Sequence, residues 1–566
     1  HSRGYWTPYP EMPSPKVYGE NAMADGKAAV EALAGQDFVL DQPGASAWAA
    51  PEKSPYGVKL DVRYPVCDVD ALIAAAQAAM PGWRKIGAEG RVGVCLEILD
   101  RLNKKSFEIA HAVMYTTGQG WMMAFQAGGP HAQDRGLEAV AYAWDEMSRI
   151  PATAIWEKPQ GKNPALKMQK HYEIVGRGVA LVVGCGTFPT WNTYPGLFAA
   201  LATGNPVIVK PHSNAILPAA ITVRIIREVL AEAGLDPNLV SLAVVEKRAA
   251  TQALATHPAV KSIDFTGGNV FGQWLLDNAR QAQVYAELAG VNNVVIESTD
   301  SYKAMLRNLA FTLSLYSGQM CTTTQAIMVP AGGIETDQGH KSFDEVAADL
   351  GAAISKFLAD PAVATAVLGA IQSEATLARI EECQSGAFGK VVLGSSKIEH
   401  PEFPGAEVRT PVLLHGEAGT GKSTIAELLH AAGGAGARDL AQVDARLLRP
   451  QAHRRRGEGA LALRARRARH AGRGEAGFCA GSAAGFAASF GCGSGCAAGA
   501  GFSCVAGADA GAGAAASSFS PAAGAPPAIS ILTSGEPTAT VSPISAPSHA
   551  IVPSTGEGIS TVALRS

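Results

Sequence analysis

Gly178-Val-Ala-Leu-Val-Val-Gly184 and Asn205-Pro-Val-Ile-Val-Lys-Pro211 are the two stretches that decide the fold of this chain. Each is a short apolar run bounded by turn residues, which is typical of a strand buried on both faces. The alternation of strand and helix continues with a helix from Tyr194 to Ala202, a helix from Leu217 to Ala233, a strand from Val240 to Val245, a helix from Ala249 to Ala255 and a strand from Lys261 to Phe265. This spacing predicts an α/β fold with a doubly wound parallel sheet, which binds nucleotides at the carboxyl ends of its strands.

Helical patterns precede this sheet on the amino-terminal side. Apolar residues at helical spacing predict helices from Asp68 to Gly82, from Gly90 to Asn103 and from Ser106 to about Tyr115. Residues 1–65 are interrupted by Pro and Gly, which predicts an irregular arm lying over a domain. The predicted domains are this arm (1–65), a dinucleotide-binding domain with its helices (66–290), a partial catalytic domain (291–414) and a tail (415–566).

One cysteine stands at a junction of predicted elements. The stretch Tyr316-Ser-Gly-Gln-Met-Cys-Thr-Thr-Thr324 follows a predicted helix, Tyr302 to about Leu315, and precedes a predicted strand, Gln325 to Pro330. A thiol at such a junction can be partly exposed beside an apolar cleft, which suits a nucleophile. The alternative is a buried, inert cysteine, the commoner fate of this residue type. Cys321 is therefore the first candidate for catalysis.

A carboxylate upstream of this cysteine is the second candidate. Ala286-Glu-Leu-Ala-Gly290 places Glu287 in an apolar, glycine-flanked setting. Such a setting raises the pKa of a carboxyl group and suits a general base. The alternative is a surface or structural carboxylate.

Four motifs now occur in one order along the chain: Asn205 to Pro211, Phe265-Thr-Gly-Gly-Asn-Val-Phe-Gly272, Glu287 at the head of Glu-Leu-Ala-Gly, and Cys321 after Gly318-Gln319. Together they resemble the aldehyde dehydrogenase superfamily, and the run from about Tyr5 to Leu414 resembles the phenylacetic acid degradation protein of the PaaN type. The resemblance implies that the Cys321 thiolate attacks an aldehyde carbon and that Glu287 activates water to release the acid. It implies NAD or NADP as the cofactor, and an aldehyde or semialdehyde from aromatic-acid breakdown as the substrate, with carriage on coenzyme A left open.

Candidate cofactor contacts lie at the ends of the predicted strands. Lys210 can reach a ribose or phosphate, and Gly267 and Gly272 let the backbone approach a pyrophosphate closely. Each alone has an ordinary alternative, an exposed cation or a plain turn. The family often has an acidic residue three positions after this lysine, where this chain has Ser213. A neutral hydroxyl leaves room for a 2′-phosphate, which favours NADP over NAD.

The family also implies an asparagine that donates to the charge developing on the substrate oxygen. It usually precedes Phe-Pro, and counting from Lys210 and from Phe188-Pro189 puts this position at Thr187. Asn192 lies five residues later and is set aside on this count. The threonine hydroxyl can still donate, together with the backbone amide of Cys321.

Charge and cysteine usage exclude several classes of protein. The formal net charge is -3, so no overall basic bias draws nucleic acid or a membrane surface. Nine cysteines at scattered positions form no disulfide framework and no zinc site, which favours a cytoplasmic protein without a metal. The start lacks an apolar segment, which predicts no signal peptide and no membrane span.

The composition changes near residue 414. After Lys422 the chain has no Lys, Met, Trp, Tyr or Asn and is rich in Ala, Gly, Ser and Arg, which predicts disorder. The family's later motifs and its oligomerisation segment are missing, so the homo-oligomer that the family implies is doubtful, and we expect low or no activity. The abrupt bias suggests the hypothesis of a frameshift or gene-model error.

A nucleotide-binding motif starts the same region. Gly416-Glu-Ala-Gly-Thr-Gly-Lys-Ser423 fits the P-loop pattern, with an apolar run before it and a helical pattern after it. The chain after it lacks the further strands that a P-loop domain needs. A P-loop regulatory protein and a non-catalytic dinucleotide-binding remnant therefore remain the alternatives to an aldehyde dehydrogenase.

Overall fold

The structure is a computed structural model that describes residues 7–416 apart from residues 246 and 291, and all statements below concern these residues. The amino-terminal region holds helices α1 (Pro15–Tyr18) and α2 (Ala22–Glu31) and the antiparallel strands β1 (Ala45–Ala49) and β2 (Tyr64–Cys67). Outside these short elements most of residues 7–65 is irregular, and the arm of residues 1–65 as a separate unit stays a prediction. Val30, Phe38 and Tyr64 of this region are buried in the main core. Helix α2 is too short to be stable alone, and the burial of its Val30 stabilises it.

Five helices form the next layer: α3 (Val69–Lys85), α4 (Gly87–Lys104), α5 (Ser106–Thr117), α6 (Trp121–Gly128) and α7 (Pro130–Ser148). The three predicted helices are confirmed as α3, α4 and α5. The carboxylate of Asp68 caps α3 by accepting from the Ala71 N–H at 2.9 Å. An antiparallel hairpin follows, with strands β3 (Thr153–Gln160) and β4 (Asn163–His171), whose side chains are mostly exposed.

The central sheet has five parallel strands in the order β7-β6-β5-β8-β9. Its elements are β5 (Val179–Val183), α8 (Tyr194–Ala202), β6 (Val207–Lys210), α9 (Leu217–Glu232), β7 (Val240–Leu242), α10 (Arg248–Thr256), β8 (Val260–Gly267), α11 (Asn269–Asn278) and β9 (Gln283–Leu288). The predicted doubly wound α/β fold is confirmed. The strand order reverses between β5 and β8, and ligands of such sheets bind outside the strand ends at this point.

Strand β9, which carries Glu287, was not among the predicted strands. It pairs with β8 so that Thr266 lies beside Glu287 and Asp264 beside Tyr285. Ala286 and Leu288 pack against the apolar cluster on one face of the sheet, so Glu287 faces the opposite side.

Residues 292–416 contain several small sheets and four α-helices. The elements are β10 (Asn292–Val295), β11 (Ser298–Thr299), α12 (Tyr302–Ser314), β12 (Thr324–Met328), β13 (Ile334–Thr336), β14 (Gly339–Lys341), α13 (Phe343–Phe357), α14 (Pro361–Val367), α15 (Glu374–Gln384), β15 (Lys390–Leu393), β16 (Lys397–Ile398), β17 (Val408–Arg409) and β18 (Leu413–His415). Strand β10 pairs in parallel with β12. The predicted helix and strand on either side of Cys321 are confirmed as α12 and β12.

The described residues contain neither a single apolar helix of membrane-spanning length nor a cluster of side chains placed to hold a metal. No single helix there has the length and apolar character to cross a membrane, and only the bent pair α13 and α14 passes on length and composition. The same residues contain no group of three or more His, Cys, Asp or Glu side chains placed to hold a metal ion.

Candidate active site

A cavity of about 440 Å³ lies at the carboxyl ends of the central strands, where the strand order reverses. Its walls come from the loop after β5, the ends of β6, β8 and β9, the segment around Cys321 and the start of α15. Of the predicted site residues, it is lined by Thr187, Lys210, Gly267, Glu287 and Cys321. The structure therefore brings together residues that lie up to 134 positions apart in the sequence.

Cys321 lies on the turn between α12 and β12 and is partly exposed to the cavity. Its backbone carbonyl accepts a hydrogen bond from the side-chain amide of Asn292, which also donates to the Thr323 carbonyl. Asn292 starts β10, so the parallel partner strand fixes the backbone that carries the thiol. This location suits a nucleophile, because the partly exposed sulfur can contact a small molecule bound in the cavity.

The turn before Cys321 has an unusual backbone. Tyr316 and Ser317 both have positive φ, 55° and 51°, and Gly318 follows with 74°. Non-glycine residues pay about 1 kcal/mol or more for this left-handed conformation. The Tyr316 hydroxyl donates to the Thr117 carbonyl at 2.5 Å, and the Ser317 hydroxyl bonds to the backbone of Gly369 and to the carbonyl of Arg409. These contacts hold the strained turn in place.

Glu287 is exposed at the rim of the cavity, so the apolar setting expected from its sequence neighbours is not found. The reason is that its apolar neighbours lie on the other face of β9. The side-chain amide of Asn192 donates to the Glu287 carboxylate at 3.3 Å, and the Asn192 carbonyl oxygen accepts from the Cys185 thiol at 3.5 Å. Asn192 is only 9% exposed and lines the same cavity as Cys321.

Thr187 and Asn192 thus both lie in the cavity, although the sequence count favoured Thr187 and set Asn192 aside. The Thr187 hydroxyl is 3.6 Å from the Cys185 sulfur, and its carbonyl accepts from the Gln119 amide at 2.7 Å. The loop between β5 and α8 brings the Asn192 side chain within 3.3 Å of Glu287, a contact that a residue count along the chain does not reveal. The role of Thr187 stays a prediction.

Two glutamines that the sequence did not single out hold this loop. The Gln119 amide bonds to the carbonyl of Thr187, and the Gln372 amide bonds to the carbonyls of Gly186 and Thr117 at 2.8 and 3.0 Å. No sequence pattern indicates these residues, because each acts on a segment far away in the chain.

The predicted cofactor residues divide into two groups. Lys210 and Gly267 line the cavity, and burial lowers the pKa of the Lys210 ammonium. Ser213 is exposed between His212 and Asn214, which both line the cavity. Gly272 is buried away from it: a Cβ there would lie 2.1 Å from Leu288 Cδ2, so the glycine allows α11 to pack closely on β9. A pyrophosphate contact for Gly272 stays a prediction.

The residues around the strand ends fit a dinucleotide. Lys210 offers a cation, and His212 and the Gly267 and Gly268 backbone lie around the same space. The buried carbonyl oxygen of the Asn269 side chain has no hydrogen-bond partner among the described residues. This oxygen stands at the start of α11 and can accept from a hydroxyl of a nucleotide, but not from a phosphate, which carries no donor when ionised.

A second carboxyl group lies close to Glu287 under α8. Asp264 faces Gly196, where a Cβ would lie 2.6 Å from the carboxyl carbon of the aspartate. Burial and the charge of Glu287 raise the pKa of Asp264 to about 7. The glycine at position 196 therefore makes room for this carboxyl group.

The P-loop motif lies almost wholly outside the described residues, which end at Gly416. The apolar run expected before it is the strand β18. The predictions about residues 417–566, including disorder and nucleotide binding, also concern residues that the structure does not describe.

Comparison with known proteins finds several that are named semialdehyde dehydrogenases. The chain is 27% identical over 354 residues to the N-succinylglutamate 5-semialdehyde dehydrogenase of Chromobacterium violaceum, covering 61% of this chain and 67% of that protein. It is 28% identical over 321 residues to the protein of that name from Burkholderia lata, covering 56% and 61%. The matched stretch thus spans about two thirds or less of these relatives.

A solved structure and a family model agree with these relatives. The crystal structure of an NAD-dependent aldehyde dehydrogenase from Burkholderia multivorans is 60% identical to this chain, with a TM-score of 0.71, covering 73% of this chain and 74% of that one. The model of the aldehyde dehydrogenase family matches residues 63–416, more than half of the chain. The family predicted from the four motifs is confirmed: this chain belongs to the aldehyde dehydrogenase family.

Proposed function

We propose that this chain oxidises an aldehyde or semialdehyde to the acid with NAD or NADP, through a thioester on Cys321, at the low rate expected of a chain without the family's later motifs. The observation that carries the proposal is that one cavity is lined by Cys321, by Glu287 and by the carboxyl ends of the central strands, where nucleotides bind in sheets of this kind. The relatives named as semialdehyde dehydrogenases and the NAD-dependent structure support the same reaction.

The chemistry follows from the positions of the two reacting groups. The Cys321 thiolate attacks the carbonyl carbon of the aldehyde, and the C–S bond forms as the carbonyl oxygen becomes an oxyanion. The nicotinamide cofactor, when bound, supplies the acceptor for the hydride that this carbon loses. Glu287 then takes a proton from water, whose oxygen attacks the thioester carbon, and the C–S bond breaks to give the acid and the thiolate.

The oxyanion needs hydrogen-bond donors aimed into the cavity. The candidates are the backbone N–H of Cys321, the Thr187 hydroxyl and the side-chain amide of Asn192. Asn192 contacts the Glu287 carboxylate, so its amide can serve both the base and the oxyanion. We infer that Asn192 is the stronger candidate, because an amide N–H donor does not depend on a rotating hydroxyl.

Ester hydrolysis tests the two catalytic roles without a cofactor. With p-nitrophenyl acetate, we expect a burst of nitrophenol as Cys321 is acylated, followed by slower hydrolysis. Cys321→Ala should abolish the burst, and Glu287→Gln should keep the burst but slow the second phase by about a hundredfold. A full burst in Cys321→Ala would remove the proposed nucleophile.

Two matched variants distinguish between the candidate donors to the oxyanion. Asn192→Ala should lower the rate of acylation by about a hundredfold, whereas Thr187→Val should lower it by less than about tenfold. The reverse order would return the role to Thr187. Circular dichroism spectra that match the wild-type spectrum serve as the control for folding.

The substrate is proposed from the resemblance and the relatives. An aldehyde of phenylacetate or another aromatic-acid breakdown route, free or on coenzyme A, follows from the resemblance to the PaaN type, whereas the relatives in the comparison act on aliphatic semialdehydes by name. Turnover of a panel of aromatic, aliphatic and coenzyme A-linked aldehydes distinguishes them. Light scattering of the purified chain determines whether it forms the homo-oligomer that the family implies.

A further inference from the structure

Cys185 is a buried cysteine in the wall of the cavity that the proposed mechanism does not use. It lies two residues after β5, on the loop that also carries Thr187 and Asn192. Its sulfur contacts both of these candidate donors to the oxyanion. The carbonyl oxygen of the Asn192 side chain lies 3.5 Å from the sulfur, and the Thr187 hydroxyl lies 3.6 Å from it.

The single proton of the thiol fixes the direction of these two contacts. The Asn192 oxygen carries no hydrogen, so the thiol is the donor in the 3.5 Å contact. Because that proton is then used, the Thr187 hydroxyl must be the donor in the 3.6 Å contact. The backbone N–H of Phe188 also donates to the sulfur, at 3.4 Å. Cys185 therefore donates to Asn192 and accepts from its other two partners.

The surroundings of the thiol keep its proton in place. Burial raises the pKa of the Cys185 thiol, against the opposing effect of the hydrogen bonds from Thr187 and Phe188. The negative charge of Glu287 raises the same pKa further. The group therefore stays a thiol at neutral pH and can donate, whereas a thiolate would face the Asn192 oxygen as one acceptor against another.

These bonds give the two candidate donors to the oxyanion different capacities. The thiol holds the oxygen end of the Asn192 amide, and the nitrogen end donates to the Glu287 carboxylate at 3.3 Å. An amide nitrogen has two protons, so one remains for the oxyanion. The Thr187 hydroxyl has one proton, which the Cys185 sulfur accepts. Thr187 can donate to the oxyanion only after it leaves the sulfur.

We propose that Cys185 is a positioning residue for the oxyanion: its thiol orients the amide of Asn192 and occupies the hydroxyl of Thr187. The proposal rests on the proposed function, because Cys185 acts through the donors of that reaction. Cys185 itself forms no bond to the substrate and keeps its oxidation state. Its role is therefore distinct from that of Cys321, which carries the acyl group.

Burst kinetics of the full chain with p-nitrophenyl acetate measure this role. Cys185→Ala should lower the rate constant of acylation about fivefold, the effect of about one neutral hydrogen bond. Cys185→Ser keeps a donor and an acceptor and should stay within about twofold of the wild type. If Cys185 served packing alone, serine would be no better than alanine, because a hydroxyl restores the hydrogen bonds but little of the volume.

Double-mutant cycles test whether Cys185 acts through the two loop side chains. In the Asn192→Ala background, Cys185→Ala should cost less than about twofold, because the amide that the thiol orients is gone. Thr187→Val should cost less than about twofold in the wild type but about fivefold in Cys185→Ala, where the released hydroxyl can donate to the oxyanion. A purely structural role of the thiol would not make Thr187 more important.

Two further variants control for the loss of a buried thiol. Cys95 is buried in α4 and does not line the cavity, so Cys95→Ala should leave the acylation rate unchanged. Cys185→Val is close to cysteine in volume and lacks both hydrogen bonds, so it replaces Cys185→Ala in every comparison if the alanine variant does not fold. Melting temperatures of all variants report folding.

The outcomes distinguish this role from the proposed function. Two results would overturn the role of Cys185 and leave the proposed function standing: an unchanged acylation rate in Cys185→Ala, or an equal loss with and without the Asn192 amide. A Cys185→Ser variant as slow as Cys185→Ala would also overturn it. If the wild type shows no burst, or if Cys321→Ala retains the burst, the proposed function fails and this inference fails with it.

Discussion

The left-handed turn before Cys321 gives a prediction whose size follows from its contacts. Replacing Ser317 with Ala removes a hydroxyl that lies 2.8 Å from the Arg409 carbonyl and 3.0 Å from the Gly369 carbonyl, and that accepts the Gly369 N–H at 3.2 Å. The hydroxyl has one proton, so one donated and one accepted bond are lost. At about 1 kcal/mol each, the turn loses about 2 kcal/mol of local stability.

Hydrogen exchange measured by mass spectrometry follows this local stability. Amides of residues 316–323 should exchange about thirtyfold faster in Ser317→Ala, because about 1.4 kcal/mol corresponds to a tenfold change in an equilibrium constant. Ser317→Gly loses the same bonds but gains about 1 kcal/mol from relief of the left-handed strain, so its increase should be smaller.

A matched serine provides the control for this experiment. Ser355 in α13 donates to the carbonyl of Gly351 four residues earlier, so Ser355→Ala should leave exchange near Cys321 unchanged. Exchange within about threefold of the wild type in Ser317→Ala would refute the view that this hydroxyl holds the turn. So would an increase of the same size in the control.

Three further predictions concern the stability of the fold. The folded Asp264 carboxyl keeps its proton up to about pH 7, whereas the unfolded one loses it near pH 3.8, so the free energy of unfolding should fall as pH rises through this window. Asp264→Asn should reduce this fall by on the order of 2 kcal/mol in urea unfolding, and an unchanged dependence on pH would contradict the prediction. Gly176→Ala places a Cβ 2.0 Å from the Gly204 carbonyl oxygen and should destabilise the protein by about 3 kcal/mol, which a wild-type urea midpoint would disprove. Glu52 accepts two backbone N–H groups at the start of α9, so Glu52→Ala should cost about 2 kcal/mol in the same assay, with the isosteric Glu52→Gln less affected; equal midpoints for both variants would contradict this assignment.

The sequence predicted the sheet well because its inner strands are continuous apolar runs. Strands β5, β6 and β8 and the helices between them lie within a few residues of their predicted bounds. Strand β9 was missed because its side chains alternate between exposed and half-buried positions, so it has no apolar run. The hairpin β3–β4 was missed because its exposed strands carry polar and apolar residues without a clear period.

The sequence predicted the reacting groups of the candidate site better than the residues that surround them. The motifs indicated Cys321, Glu287 and Lys210, and the structure places all three around one cavity. Asn192 was set aside because a residue count assumes that loops of equal length have equal shape. Its contact with Glu287 joins positions 95 residues apart, and no local pattern encodes such a contact.

The glutamine contacts on the loop after β5 have a consequence for how this protein can evolve. Gln119 and Gln372 reach only main-chain oxygens of that loop, and every amino acid carries such an oxygen. Mutation can therefore replace the side chain at position 187 while its tether to Gln119 persists. Proteins that keep the two glutamines can therefore change their substrate preference by mutation while the backbone of this loop stays in place.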